Sequence, residues 1–334
     1  MLKGVCIIFV IVTHFASSEE TLRFLFPLWI VMAVPFFMII SGYVYAGSYI
    51  RNDIKSLSDA YRPKFLIDKM IRYTIPYTVA WVIEFLWFWF FDDRVLGWKA
   101  FLVGGYGPGG FYYPIMMQFI FTFPVIFFII KKYDFYGLLL CGAANCLYEI
   151  LQHAYGMNGE CYRLLIFRYI LVIAFGCYLS LRTRRVKKIW GYVSFIVGLL
   201  YIILISYTAY SPKIITYWTG TSFVSCLYVL PIAALLIDKC KVKLKALELI
   251  GKASYNIFLV QMIYYSFLAG MIYSFVSSRI LELAADISIC VLIGIIFYYV
   301  ETPITKIILT KVNYYVSKWE QSNIISKMNI FYDD

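Results

Sequence analysis

Ten apolar stretches divide this chain, at 3–17, 24–47, 71–91, 111–130, 135–151, 163–181, 189–209, 220–237, 253–275 and 284–302. Most have the roughly 20-residue length at which a helix crosses a bilayer; the first and fifth are short. No water is available in hydrocarbon, so the backbone groups of each crossing must bond within their own segment, which a helix does. With 62% hydrophobic and only 15% charged residues, and a mean hydropathy of +0.77, the fold class reads as all-α: a polytopic membrane protein with about ten transmembrane helices.

The net charge of +11 would suggest a nucleic-acid partner in a soluble protein. Here the positions of the cations say otherwise. Lys and Arg concentrate in alternate connections, at 49–72, 131–132, 182–188, 239–252 and beyond 305. That bias places both termini in the cytoplasm, and an even number of crossings agrees. Residues 1–304 then form the membrane domain and 305–334 a cytoplasmic tail, in which Trp319 and Phe331 among charges suit an interfacial helix. A basic start, the run Val5–Val12 and the small residues Ala16-Ser17-Ser18 also fit a cleavable signal peptide, a reading that would discard the first segment. The eight cysteines form no C-x-x-C pair and have few histidines to join them, so neither a metal nor a disulfide framework is expected.

The first segment carries Lys3 and His14, eleven residues apart. Eleven steps are close to three helical turns, so both side chains project from one face, roughly 16 Å apart along the axis. With Lys3 at one surface, His14 lies near half depth, where an ionisable group is costly and marks a candidate functional site. A neutral imidazole there can take a proton from an attacking hydroxyl. The plainer reading is a packed histidine bonded to a backbone carbonyl. His153, at the end of the fifth stretch, reads as a solvated loop residue.

Lys69 and Arg72 share a face at the start of the third stretch, with Arg62 and Lys64 just upstream. Such a cluster suits the phosphates of a polyanion such as coenzyme A, although topology and lipid headgroups also explain basic residues at that level. Glu84 lies twelve residues beyond Arg72, and Arg168 enters from the opposite side to a similar depth. The expectation is one layer in which Glu84 orients the His14 imidazole and Arg168 steadies developing negative charge. A plain Glu84–Arg168 ion pair is the alternative. The run Gly105–Gly110 matches G-x-G-x-x-G by letters but lacks the strand and βαβ unit of a dinucleotide site. It reads instead as a glycine-rich loop dipping into the mouth of the fourth helix, with Tyr112 and Tyr113 beside it.

Taken in order, several motifs resemble the membrane acyltransferase-3 family: Lys3-Gly4 with His14, Pro35-Phe36-Phe37 running to Ser41-Gly42-Tyr43, Lys69-x-x-Arg72 followed by Pro76-Tyr77, Ser254-Tyr255 running to Leu259, and Tyr299-x-Glu301-x-Pro303. The resemblance spans residues 3 to about 303. It implies ten core helices and acyl transfer from acetyl-CoA or another acyl-CoA to a hydroxyl of a cell-envelope polysaccharide or lipid-linked sugar, in a bacterial plasma (inner) membrane. By the same resemblance His14 is the essential first-helix histidine, Lys3, Lys69 and Arg72 hold the donor's phosphates, and Ser41 and Glu301 support the site. Lysine stands at two positions where arginine is usual, keeping charge but losing bidentate contacts. Gln261 stands where many members carry a second histidine, leaving His14 as the imidazole within the expected spans. Alternatives are a non-catalytic polysaccharide exporter or flippase of similar fold, and a scaffold for polysaccharide assembly.

Overall fold

The structure, a computed structural model, describes residues 1–91, 97–181, 188–210, 222–240 and 244–330, and among the described residues every regular element is helical. The principal helices are α1 (Leu2–Phe15), α2 (Ala33–Arg51), α3 (Pro63–Phe91), α4 (Tyr112–Tyr133), α5 (Phe135–Ala154), α6 (Ile170–Leu181), α7 (Lys188–Tyr207), α8 (Val229–Lys239), α9 (Lys245–Lys252), α10 (Ser254–Ile263) and α11 (Arg279–Ile330). Each expected stretch contains helix, but only six helices among the described residues are long and apolar enough to cross a membrane. These are Phe26–Arg51, Leu57–Phe91, Tyr112–Tyr133, Ile189–Tyr207, Ser254–Tyr273 and Arg279–Trp319; Leu2–Phe15 and Ile166–Leu181 are shorter apolar helices.

The shortfall has local causes. The stretch at 163–181 is not one helix, because Leu165 is extended and separates Gly159–Leu164 from a 3-10 turn at Ile166–Tyr169 and then α6. Helix α5 buries Asn145, Glu149 and Gln152, which lower its hydropathy. The last helix does the opposite and runs unbroken past residue 304, where a boundary between membrane domain and tail was expected. The basic connection at 182–187, part of that at 239–252, and Phe331 lie outside the described residues.

Helix α1 ends just past His14 for a reason written in the next residues. Ser17 accepts from the Glu20 N–H at 3.2 Å while its own N–H donates to Glu20 Oε2 at 2.8 Å. This reciprocal capping box starts a separate short helix, Ser18–Arg23, and leaves Ala16 extended. The histidine is thereby held in the final turn of α1 rather than mid-helix.

Lipid tails are as apolar as leucine, so helix association here depends on close packing and small residues at crossings. Gly42 of α2 and Gly176 of α6 let the two backbones touch: a Cβ on either would collide with the carbonyl of Ile173 or Ile39. Gly4 does the same for α1, whose backbone there meets the Leu247 carbonyl and the Gly251 N–H of α9. The buried core accordingly forms two bodies. One joins α2, α4, α5, α6 and α8 around Met38, Phe119, Phe123 and Ile173. The other surrounds α1 with α3, α10 and α11 around Ile7, Ile11, Tyr77, Ile257 and Leu259.

Helix α11 runs antiparallel to α1. Near its start, Arg279 donates to the Phe15 carbonyl at 2.8 Å and to Glu20 Oε2 at 2.9 Å, with its guanidinium 3.7 Å from the Phe15 ring. Toward the Lys3 end, the buried Glu301 carboxylate accepts from Asn256 Nδ2 at 3.4 Å and from the Thr305 hydroxyl. Both partners are neutral donors.

Candidate active site

On α1, residues Lys3, Ile7, Val10 and His14 repeat at helical spacing and form one stripe. Ile7, Val10 and His14 line a narrow passage of about 50 Å³ together with Phe37, Tyr112 and Phe258. Its walls are almost wholly apolar, and Ser254 and Tyr255 also line it. His14 also lines a second, open cavity of about 510 Å³, with Tyr106, Pro108, Arg163 and Tyr265. Among the described residues, no other side chain borders both spaces.

The wall between them is the glycine-rich loop. Gly104, Gly105 and Gly109 have φ of 106°, 90° and 89°, a region that glycine enters without strain. Glu84, fully buried on α3, accepts from the Tyr106 N–H at 3.1 Å, from the Gly107 N–H and from the Ser266 hydroxyl at 3.2 Å. The loop wraps so closely that a Cβ at Gly105 or Gly107 would stand 2.7 Å from the carboxylate. Glu84 therefore orients the loop. No hydrogen bond reaches the His14 ring from Glu84 or from any other described residue.

Arg168 lies elsewhere. Its guanidinium sits 4.9 Å from the Tyr162 ring and 4.7 Å from that of Tyr169, within electrostatic reach of the buried Glu149. The expected layer of His14, Glu84 and Arg168 is thus resolved into two groups: Glu84 stands behind the loop at His14, while Arg168 belongs with α5 and its aromatic neighbours. The break at Leu165 is the physical reason, since depth counted along a continuous helix does not apply across an extended residue. Arg163, five residues earlier, is the cation that borders the open cavity.

The three expected phosphate contacts differ in exposure. Arg72 is exposed and makes no ion pair with a described residue. Lys69 is enclosed: its Nζ lies 4.3, 4.5 and 4.1 Å from the ring centres of Tyr45, Tyr49 and Phe65. Cation–π attraction holds an ammonium in such a box, and its charge is directed at rings rather than outward. Lys3 lies on the passage stripe with its Cβ against Gly251. Ser41 is buried and hydrogen-bonds the Tyr112 phenol, which fixes one wall of the passage.

Two residues were not singled out by the sequence, Tyr265 and Asp286. Tyr265 places its ring centre 5.9 Å from that of His14, and its hydroxyl donates to Asp286 Oδ2 at 2.7 Å. An acid within an apolar stretch followed by no nearby cation was the available signal for Asp286. Gln261 is fully buried, and its amide has no hydrogen-bond partner among the described residues. It shares by spacing the α10 face that carries Phe258. His153 is exposed, as a loop-end histidine should be.

Residues 1–300 match the family described as an acyltransferase domain, type 3. No curated protein and no solved structure matches the chain.

Proposed function

Since the chain belongs to the acyltransferase-3 family and is a membrane acyltransferase, we propose that it transfers an acyl group, acetyl first among the candidates, from acyl-CoA to a hydroxyl of a cell-envelope polysaccharide or lipid-linked sugar, with His14 as the reacting side chain. The observation that carries this reading is that, among the described residues, His14 alone borders both the apolar passage and the open cavity. The passage runs beside Ile7 and Val10, which lie between Lys3 and His14 on the α1 stripe, and Arg72 is exposed on α3. A donor bound with its phosphates at Lys3 and Arg72 would extend its pantetheine arm along the Ile7–Val10 stripe to the imidazole, a rise of roughly 16 Å. Its volume of about 50 Å³ holds a few waters. The arm therefore enters by displacing Tyr112 and Phe258.

In the open cavity, the backbone of the glycine loop and the rings of Tyr106 and Tyr265 form a surface suited to a sugar, which presents both hydroxyls and apolar ring faces. The acceptor hydroxyl gives its proton to the His14 ring as its oxygen forms a bond to the thioester carbonyl carbon. The C–S bond then breaks, and the departing thiolate takes the proton from the imidazolium. The products are an ester and free coenzyme A. Transient acylation of the ring, followed by attack of the hydroxyl, balances in the same way. In this reading both termini face the cytoplasm of a bacterial plasma membrane, crossed about ten times. Glu84 and Arg168 act by shaping the loop and the α5 side respectively, and Ser41 and Glu301 by holding Tyr112 and α10.

The test is His14→Ala and His14→Gln expressed in cells supplied with an isotopically labelled acetyl precursor, scoring membrane insertion, surface export of glycan and, by NMR, its O-acyl esters. Loss of at least roughly 100-fold in transfer with normal membrane insertion is expected. Unchanged ester content removes the reading. Lost glycan export with esters intact assigns the chain to transport.

A further inference from the structure

Asp286 lies about two turns into α11, at the start of its apolar stretch, and has no exposed surface. Three phenols converge on it: Tyr264 donates to Oδ1 at 2.6 Å, while Tyr265 and Tyr273 donate to Oδ2 at 2.7 and 2.6 Å. These lengths are those of hydroxyls bonded to a carboxylate. Burying an acid in this way costs more than packing apolar residues of the same volume, so mere filling of the core does not account for the group.

The backbone is adapted to it. Adjacent residues of an α-helix point about 100° apart, yet Tyr264 and Tyr265 both reach the same carboxylate. Both stand at the start of a π-helical turn, Tyr264–Leu268, an insertion that shifts the register of the face and recurs at functional sites. Of the three tyrosines, Tyr265 borders the open cavity and meets the His14 ring. Its hydroxyl also lies 3.1 Å from the Ile11 carbonyl, one turn before His14. The imidazole itself receives no hydrogen bond from a described residue, so its orientation is left to the surfaces that pack on it: Tyr265 on one side, Gly109 and Phe258 on another.

We propose that Asp286 is a positioning residue for His14, acting through Tyr265: the carboxylate holds the phenol, and the held ring fixes the imidazole at the junction of the two cavities. Its effect on turnover rests on the reading of His14 as the reacting group; its effect on ring orientation does not. Tyr265→Phe keeps the ring and removes the tether, and Asp286→Asn removes the acceptor charge.

The chain has two histidines, and the exposed His153 is replaced by Asn without touching the site. Histidine-labelled protein in lipid bilayers then gives the nitrogen resonances of His14 alone. In this background Tyr265→Phe and Asp286→Asn are each expected to shift or split those resonances. Acyl transfer should lose about 10- to 100-fold in kcat with donor KM changed less than about twofold, the pattern of a misplaced reacting group. Tyr228→Phe, whose hydroxyl bonds the Leu28 carbonyl outside this cluster, serves as the control and leaves both readouts in place. Unaltered His14 resonances in Tyr265→Phe overturn the proposal, whatever the activity. A protein with no acyltransferase turnover but shifted resonances retains the positioning role and rejects the proposed chemistry. Should Asp286→Asn fail to insert, Tyr265→Phe decides alone.

Discussion

Gly109 approaches His14 so closely that a Cβ added to the glycine would lie 3.7 Å from the imidazole Nε2 and 2.9 Å from Phe258 Cε2. With φ at 89°, the position also excludes ordinary side chains on backbone grounds. Gly109→Ala is expected to cost about 1–3 kcal/mol locally and to lower acyl transfer at least roughly tenfold. Steady-state kinetics beside a thermal melt in detergent separate the two effects. Wild-type turnover in this variant would show that the loop and the imidazole do not act together.

Glu84 is the anchor of that loop, and its replacement by Gln keeps the shape while exchanging one acceptor oxygen for a donor. The N–H groups of Tyr106 and Gly107 and the Ser266 hydroxyl then compete for a single acceptor. A loss of about 1–3 kcal/mol is expected for the donors left unsatisfied. Hydrogen exchange at residues 105–110 should accelerate, with exchange in α6 unchanged. Equal protection in the variant would place the anchor elsewhere.

Lys69 and Arg72 are three residues apart but differ in what they face, the first a box of three rings and the second open space. Arg72→Gln is therefore expected to raise donor KM by about tenfold, the size of a lost charge-assisted phosphate contact. Lys69→Gln should act mainly on thermal stability. Titration of both variants with acyl-CoA reads the difference, and equal KM effects would contradict the assignment.

At the other end of α1, hydrogen bonds from Arg279 and from the Ser17 N–H hold the Glu20 carboxyl down to about 2, from an ordinary 4.5. A depressed acid stabilises the folded chain above its unfolded pKa, and that contribution disappears as pH falls through the folded value. The melting temperature of the wild type should thus fall faster than that of Glu20→Gln between about pH 4.5 and 2. Both proteins should respond alike above pH 5. Parallel curves throughout would mean that the pair with Arg279 adds nothing in solution.

Much of this protein could be read from residue order alone. Hydropathy identified an all-helical membrane chain, and every apolar stretch contains helix. The eleven-residue interval from Lys3 to His14 gave a shared face, because spacing within one helix is a local property governed by a constant pitch. The glycine run likewise announced a loop at the mouth of α4, since backbone with positive φ requires that residue.

What lay between helices was not available in this way. Glu84 and Arg168 matched in counted depth, but a single extended residue at Leu165 broke the count and sent Arg168 to Glu149, Tyr162 and Tyr169. Asp286 stands more than 270 residues from His14 in sequence, and a π turn in a third helix connects them. Helical pitch determines which residues share a face; only the packing of one helix against another decides what that face meets.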